Sequence, residues 1–237
     1  HPAKDQLWYD TRREKAEREG LLHVFAQEVD RDYSASVEGV LIPAAWVKTA
    51  VDAHIKLKFT NTGAVQAALD VADEGADKNS LSFRKGVTLY RLDIWAEGDT
   101  GDTARRSVSE CKMEGAIKMQ YDCIGVGAGV KAETNRLISD KITGKLKVVP
   151  WNAASSVLNP EDNIIEGDED TPKNKDFFSN LKSQRSWQLR TRFEKTFKAI
   201  TQGKEYDETE LISLSSNLEN LHEIVNELSQ PTRGYDA

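Results

Sequence analysis

Cysteine is nearly missing from this chain of 237 residues: there are two, Cys111 and Cys123, without C-x-x-C spacing. That excludes a thiolate zinc site and suits a reducing compartment. Histidine is almost as scarce, and His1, His23, His54 and His222 lie far apart with no H-E-x-x-H pair. Any metal site must then be built mainly from oxygen ligands, which suits Mg²⁺ or Mn²⁺. No apolar run reaches the roughly 18 residues of a membrane span. The first twenty residues are too charged for a signal peptide, so neither a membrane nor export is expected. No G-x-x-x-x-G-K-[ST] occurs, so the chain carries no P-loop. What is present, 38% hydrophobic and 30% charged residues, describes a globular protein with a real core.

The net charge of -7 argues against coating nucleic acid over the whole surface, yet leaves room for a local basic track. The charge is uneven. Residues 161–170, EDNIIEGDED, carry six acids and no base, whereas Lys173 to Lys204 carries nine Lys or Arg against Asp176 and Glu194. Such a run is read either as a solvated helix face or as a DNA track.

Residues 5–19 form a polar helical pattern ending at Gly20, and Pro43 can open a short helix over 44–54. Residues 1–60 are expected to be a lead-in to a main domain over 61–237. That domain opens with an apolar strand, AVQAALDVA (64–72), and a polar loop. A hairpin over 80–97 then turns at Arg84-Lys85-Gly86. Thr100 or Asp102 can cap a helix that stops at Gly115. IKMQYDCIGVG reads as a strand with a helix directly behind it, and KLKVVP as another strand. Residues 152–172 are expected to be a mobile loop. A long helix over 176–200 is expected to face the core with Leu189, Phe193, Phe197 and Ile200. Ser216 and Glu219 have capping-box spacing before a last helix. The order predicts an α/β layout with a mixed sheet.

YDCIGVGAG (121–129) raises the functional question. Gly125, Gly127 and Gly129 give G-x-G-x-G, with Val130 where a dinucleotide-binding loop needs its last Gly, so a phosphate cradle is poorly supported. The alternative starts from topology: if the hairpin and helix form a crossover, the strands ending in Asp70 and Asp122 lie side by side and parallel. Two carboxylates roughly 5 Å apart repel by about 3 kcal/mol at an effective dielectric near 20. Such a pair wants a cation or a shared proton. Two divalent ions there would suit phosphodiester hydrolysis, while two strand-capping acids are an equally good account of the residues alone. Asp77 could reach a metal or its water shell, and Lys78 could neutralise phosphate charge.

LDVADEGADKNSL, followed some fifty residues later by YDCIGVGAGV, resembles the nuclease domain of the large terminase subunit of tailed bacteriophages and prophages. VFAQEVDRDYSASVEGVLIP is similar to the segment that joins the family's ATPase domain to its nuclease, and FFSNLKSQRSWQLRTRF and NELSQP resemble later stretches. The resemblance implies an RNase H-like fold, a mixed central sheet flanked by helices, and a metal-dependent endonuclease that cuts concatemeric double-stranded viral DNA during packaging. It makes Asp70 and Asp122 the first two catalytic carboxylates of a two-metal Mg²⁺ or Mn²⁺ site. It also favours DNA contacts by some of Lys182, Arg185, Arg190, Arg192 and Lys195, since duplex binding needs cations along the phosphates. The implied partners are DNA, the portal or procapsid and the small terminase subunit, in the host cytoplasm. The family's third carboxylate, in a motif like S-P-D-x-A-D-A, has no counterpart here, and Asp236 is not in a matching context. The expectation is a nuclease portion cut short before that motif. The competing readings are a docking or DNA-binding module of the packaging motor that does not cleave, and another RNase H-like nuclease such as a resolvase.

Overall fold

The structure, a computed structural model, describes residues 6–18, 40–72, 77–165 and 167–232. Most of the lead-in similar to the ATPase linker (24–39), together with Asp73, Glu74 and Asp236, lies outside them. The chain divides into two compact units, residues 1–50 with 220–237, and residues 51–219. No helix among the described residues is long and apolar enough to cross a membrane.

The smaller unit contains helices α1 (Gln6–Arg18) and α2 (Ala44–Thr49), the latter opened by Pro43 as its composition predicts. In place of one helix over 44–54 there are two short ones. The chain breaks at Ala50–Asp52, where Asp52 takes a left-handed φ of 53°, and α3 (Ala53–Lys56) follows in the larger unit. The smaller unit also holds the last helix, α8 (Leu221–Leu228), with Ile224 and Val225 buried. Beyond it the Leu41 N–H donates to the Pro231 carbonyl at 2.8 Å. The expected Ser216–Glu219 capping box is not formed. Asn220, at φ 58°, precedes the helix, and the Ser216 N–H instead donates to Asp52 Oδ1 at 2.9 Å.

The larger unit is built on six strands: β1 (Val65–Asp70), β2 (Asn79–Lys85), β3 (Thr88–Trp95), β4 (Lys118–Asp122), β5 (Lys147–Trp151) and β6 (Ser213–Leu214). Their order is β5-β4-β1-β2-β3-β6. β1, β2 and β3 form an antiparallel meander, and β4 and β5 add in parallel beside β1. Arg84 and Lys85, expected in the hairpin turn, belong to β2. The turn falls on Gly86, whose φ of 54° favours glycine and whose Cβ would lie 2.3 Å from the Thr62 carbonyl oxygen.

Period-two alternation sorts the faces of these strands. Ala67, Leu69, Leu81, Phe83, Met119 and Tyr121 point to one side. There they meet Ala104, Val108 and Cys111 of α4 (Thr100–Met113), and Val130 and Leu137 of α5 (Gly127–Ser139). Each large apolar side chain withdrawn here contributes about 1.5–3 kcal/mol. The cap of α4 is Asp99, one residue before the expected candidates. Its Oδ1 accepts the Asp102 N–H at 2.7 Å while the Asp102 carboxylate accepts the Asp99 N–H at 3.3 Å. Asp99→Ala is expected to cost about 1 kcal/mol, read as a lower urea midpoint with an unchanged slope.

Residues 152–172 are no bare loop. Asn163 Nδ2 donates to the Asp168 and Thr171 carbonyls at 2.7 and 2.9 Å, and Glu161 pairs with Lys173 and Lys175. The helix expected from 176 separates into α6 (Asn174–Phe177) and α7 (Leu181–Gln202), because a capping box between Asn180 and Ser183 restarts it. α7 buries Leu181, Gln184, Phe193, Thr196 and Ala199, while Leu189, Phe197 and Ile200 are half-buried. Its stripe is rotated from the expected one because Gln184 and Thr196 are drawn inward. Gln184 bonds both backbone groups of Leu158, and Thr196 bonds both of Ile212.

Candidate active site

Asp70 and Asp122 close β1 and β4 at the same end. These strands pair in parallel with Leu69 opposite Tyr121, so the two carboxylates stand one step beyond that pair on the face away from the core. Both line a cleft of about 750 Å³. Asp70 is exposed. Burial against its walls, and then the charge of Asp122, raise its pKa above the ordinary carboxylate value, with the Val71 N–H and Lys182 opposing the shift. Asp122 is anchored locally, since its Oδ1 accepts the Ile124 N–H at 3.0 Å.

The three glycines behind Asp122 are explained by the chain's own packing. Gly125 has φ 60° in the turn. A Cβ on Gly127 would stand 1.9 Å from the Asp122 carbonyl oxygen, and one on Gly129 would stand 2.3 Å from Thr100 Oγ1 at the start of α4. They let α5 begin directly against the strand end that carries the carboxylate.

The cleft floor is the polar face of the sheet, ordered by register into three rows. Ser80, Asp70, Asp122 and Trp151 form the first. Ser82, Ala68 and Gln120 form the second, and Arg84, Gln66 and Lys118 the third. Leu181, Lys182 and Arg185 form a wall. They are held there because the Leu181 N–H donates to the Ser155 carbonyl at 2.7 Å and the Lys182 N–H to the Ala153 carbonyl at 3.0 Å.

The cations singled out from the sequence separate into two groups. Lys182 and Arg185 reach the cleft. Arg190 pairs with Glu194 at 2.8 Å and lies 4.8 Å over the Trp187 ring. Arg192 donates to the Thr209 and Leu211 carbonyls, and Lys195 pairs with Glu210. None of these three lines the cleft. Lys78 and Asp77 are exposed on the connection before β2, also away from its lining. Sequence reasoning missed Arg84, Lys118, Gln66 and Gln120. The signal was the alternation of VQAALD, NSLSFRK and KMQYD, which separates faces but does not align strands.

Among the described residues, no group of three or more His, Cys, Asp or Glu side chains is arranged to hold a metal ion. The available donors are the carboxylates of Asp70 and Asp122. This set fits a hard divalent ion that retains several waters and needs only one or two carboxylates. The raised pKa of Asp70 follows first from burial and then from the charge of Asp122, and a bound cation would offset both.

No family model matches the sequence, and no curated protein matches it. Solved structures do. The nuclease domain of the large terminase subunit gp2 of bacterial virus Sf6 is 26% identical, with a TM-score of 0.73 over 83% of this chain and 84% of that one. A mutant form of that domain with manganese and beta-thujaplicinol is 27% identical at a TM-score of 0.73. A form with calcium is 26% identical at 0.72. With its mixed six-stranded sheet flanked by helices and about a quarter of its aligned residues identical, the chain is thus similar to the nuclease domain of a phage large terminase subunit, with the RNase H-like fold of that domain.

Proposed function

We propose that the chain is a metal-dependent endonuclease that cuts concatemeric double-stranded viral DNA during genome packaging, with Asp70 and Asp122 as its catalytic carboxylates. The observation that carries this reading is the placement of both acids at the ends of adjacent parallel strands, in a cleft that also presents Arg84, Lys118, Lys182 and Arg185. Mg²⁺ or Mn²⁺ is the ion of choice for such oxygen donors. When bound, it supplies Lewis acidity and lowers the pKa of a coordinated water.

The protein's own part is positional. Asp70 and Asp122 would hold the ion, from two strand ends that the sheet keeps in register. The Ile124 N–H fixes one oxygen of Asp122 and so orients the carboxylate. Lys182, whose charge already acts on Asp70, and Arg185 draw the scissile phosphate against the carboxylates. The proposed setting is the host cytoplasm, with the portal or procapsid and the small terminase subunit as partners.

The purified chain is expected to nick and linearise supercoiled plasmid with Mn²⁺ or Mg²⁺ and to stop when a chelator is added. Cleavage that persists in chelator would sink the metal-dependent reading. A second reading, a DNA-binding or docking module that does not cleave, is favoured by one observation, that two carboxylates and no third are gathered among the described residues. A folded chain that binds plasmid but never cuts it with either ion would establish that alternative.

A further inference from the structure

The far row of the cleft floor has an electrostatic character the catalytic end does not explain. Gln66 is paired with Arg84 on one side and with Lys118 on the other, and Lys118 in turn faces Lys147 of β5. Pairing across a sheet puts such residues on one face, so three cations fall in a single line across four strands. The chain as a whole is acidic, and it neutralises several of its arginines with carboxylates. Arg91 binds Asp93, Glu110 and Glu114. Arg105 and Arg136 share Glu133. Arg84 departs from this pattern. It donates to neutral groups only, the Gln66 side-chain oxygen at 2.9 Å and the Gly86 carbonyl. Lys118 has neither a hydrogen bond nor an ion pair through its side chain among the described residues. Burial penalises the cationic form of Arg84, and Arg192 adds a further positive charge near it. A guanidinium beside like charges and without a carboxylate partner among the described residues gains by taking up an anion.

The middle row determines which anion fits. Ser82, Ala68 and Gln120 separate the cationic line from Asp70 and Asp122, and Ala68 at its centre adds almost no bulk. An extended polyanion can lie along this floor with one charge at each end. The spacing is four residues along β1, from Gln66 to Asp70. We propose that Arg84 and Lys118, with Gln66 between them, form a phosphate-binding row that holds a backbone phosphate of duplex DNA about 13 Å from the scissile one. The inference rests on the nuclease reading for the identity of the polyanion. It does not rest on cleavage, because the row lies apart from the carboxylates.

The test is binding of a short fluorescent duplex by anisotropy across a salt series, in chelator so that nothing is cut. The parent is expected to bind. Arg84→Gln with Lys118→Gln should weaken binding by about tenfold or more and make the slope of log K against log salt shallower by about one. Arg84→Lys, which keeps the charge, should retain the parent slope. Should Arg84→Gln fail to fold, as read by thermal melting, Lys118→Gln alone carries the prediction. Duplexes with a single uncharged methylphosphonate should show a position that weakens the parent and has no further effect on the double variant. A parent that does not bind, a variant with the parent's affinity and slope, or equal sensitivity of both proteins at every methylphosphonate position would overturn the proposal. A parent that binds through this row yet never cuts with Mn²⁺ or Mg²⁺ would remove the nuclease reading and leave the row standing, so the two failures are distinguishable.

Discussion

Asp70→Asn and Asp122→Asn are each expected to lower metal-dependent plasmid cleavage by about 10³-fold or more, a loss of roughly 4 kcal/mol of transition-state stabilisation. Either change removes half of a two-carboxylate donor set for which no third member is gathered among the described residues. The same substitution should act in the opposite sense on the fold. Because Asp70 has a raised pKa, the native state holds its proton more tightly than the unfolded chain. The contribution of Asp70 to stability is therefore greatest below the unfolded value near 3.8, falls as pH rises towards the higher native value, and stays reduced at neutral pH. Asp70→Asn removes that penalty. Without metal its melting temperature should equal or exceed that of the parent at pH 7, and added Mn²⁺ should raise it less. A variant that loses cleavage and also melts well below the parent would mean that Asp70 is a structural strand-end residue.

Gly127→Ala is expected to cost about 3 kcal/mol or more, because the added Cβ would stand 1.9 Å from the Asp122 carbonyl oxygen and backbone must move to admit it. The displaced group belongs to a candidate ligand, so cleavage should fall even at temperatures where the variant stays folded. Gly125→Ala provides the contrast. A Cβ there meets nothing within 4 Å, and the cost is only that of a positive φ, about 1 kcal/mol. Urea midpoints for both variants, with plasmid cleavage measured under folded conditions, check the pair. Equal losses at the two positions would mean that turn strain, rather than the approach of α5 to Asp122, is what the glycines relieve.

These glycines show how legible the site was. Their presence behind a strand end was plain, and a tight turn follows from glycine's conformational range. What each one touches depends on how α5 lies against β4 and α4, which no local pattern encodes. The basic run over 173–204 teaches a similar lesson. Read as charge alone, its cations are alike. In the fold, Glu161 takes Lys173 and Lys175, Glu194 takes Arg190 and Lys198, and Glu210 takes Lys195. Lys182 and Arg185 are left to line the cleft because the backbone of Ala153 and Ser155 holds the start of α7 there.

By itself the sequence determined the elements whose cause is local: strands with alternating faces, a hairpin turning on a glycine, a helix opened by Pro43, and a metal chemistry limited to oxygen donors by the scarcity of Cys and His. It also placed Asp70 and Asp122 at strand ends. Only the tertiary structure decided what those residues face. Register across β2, β1, β4 and β5 converts four separate strands into a carboxylate row, a small polar row and a cationic row. The physical reason is that alternation fixes which face a side chain takes, whereas its neighbour on the next strand is set by hydrogen bonds between segments distant in sequence, Gln66 and Lys118 among them.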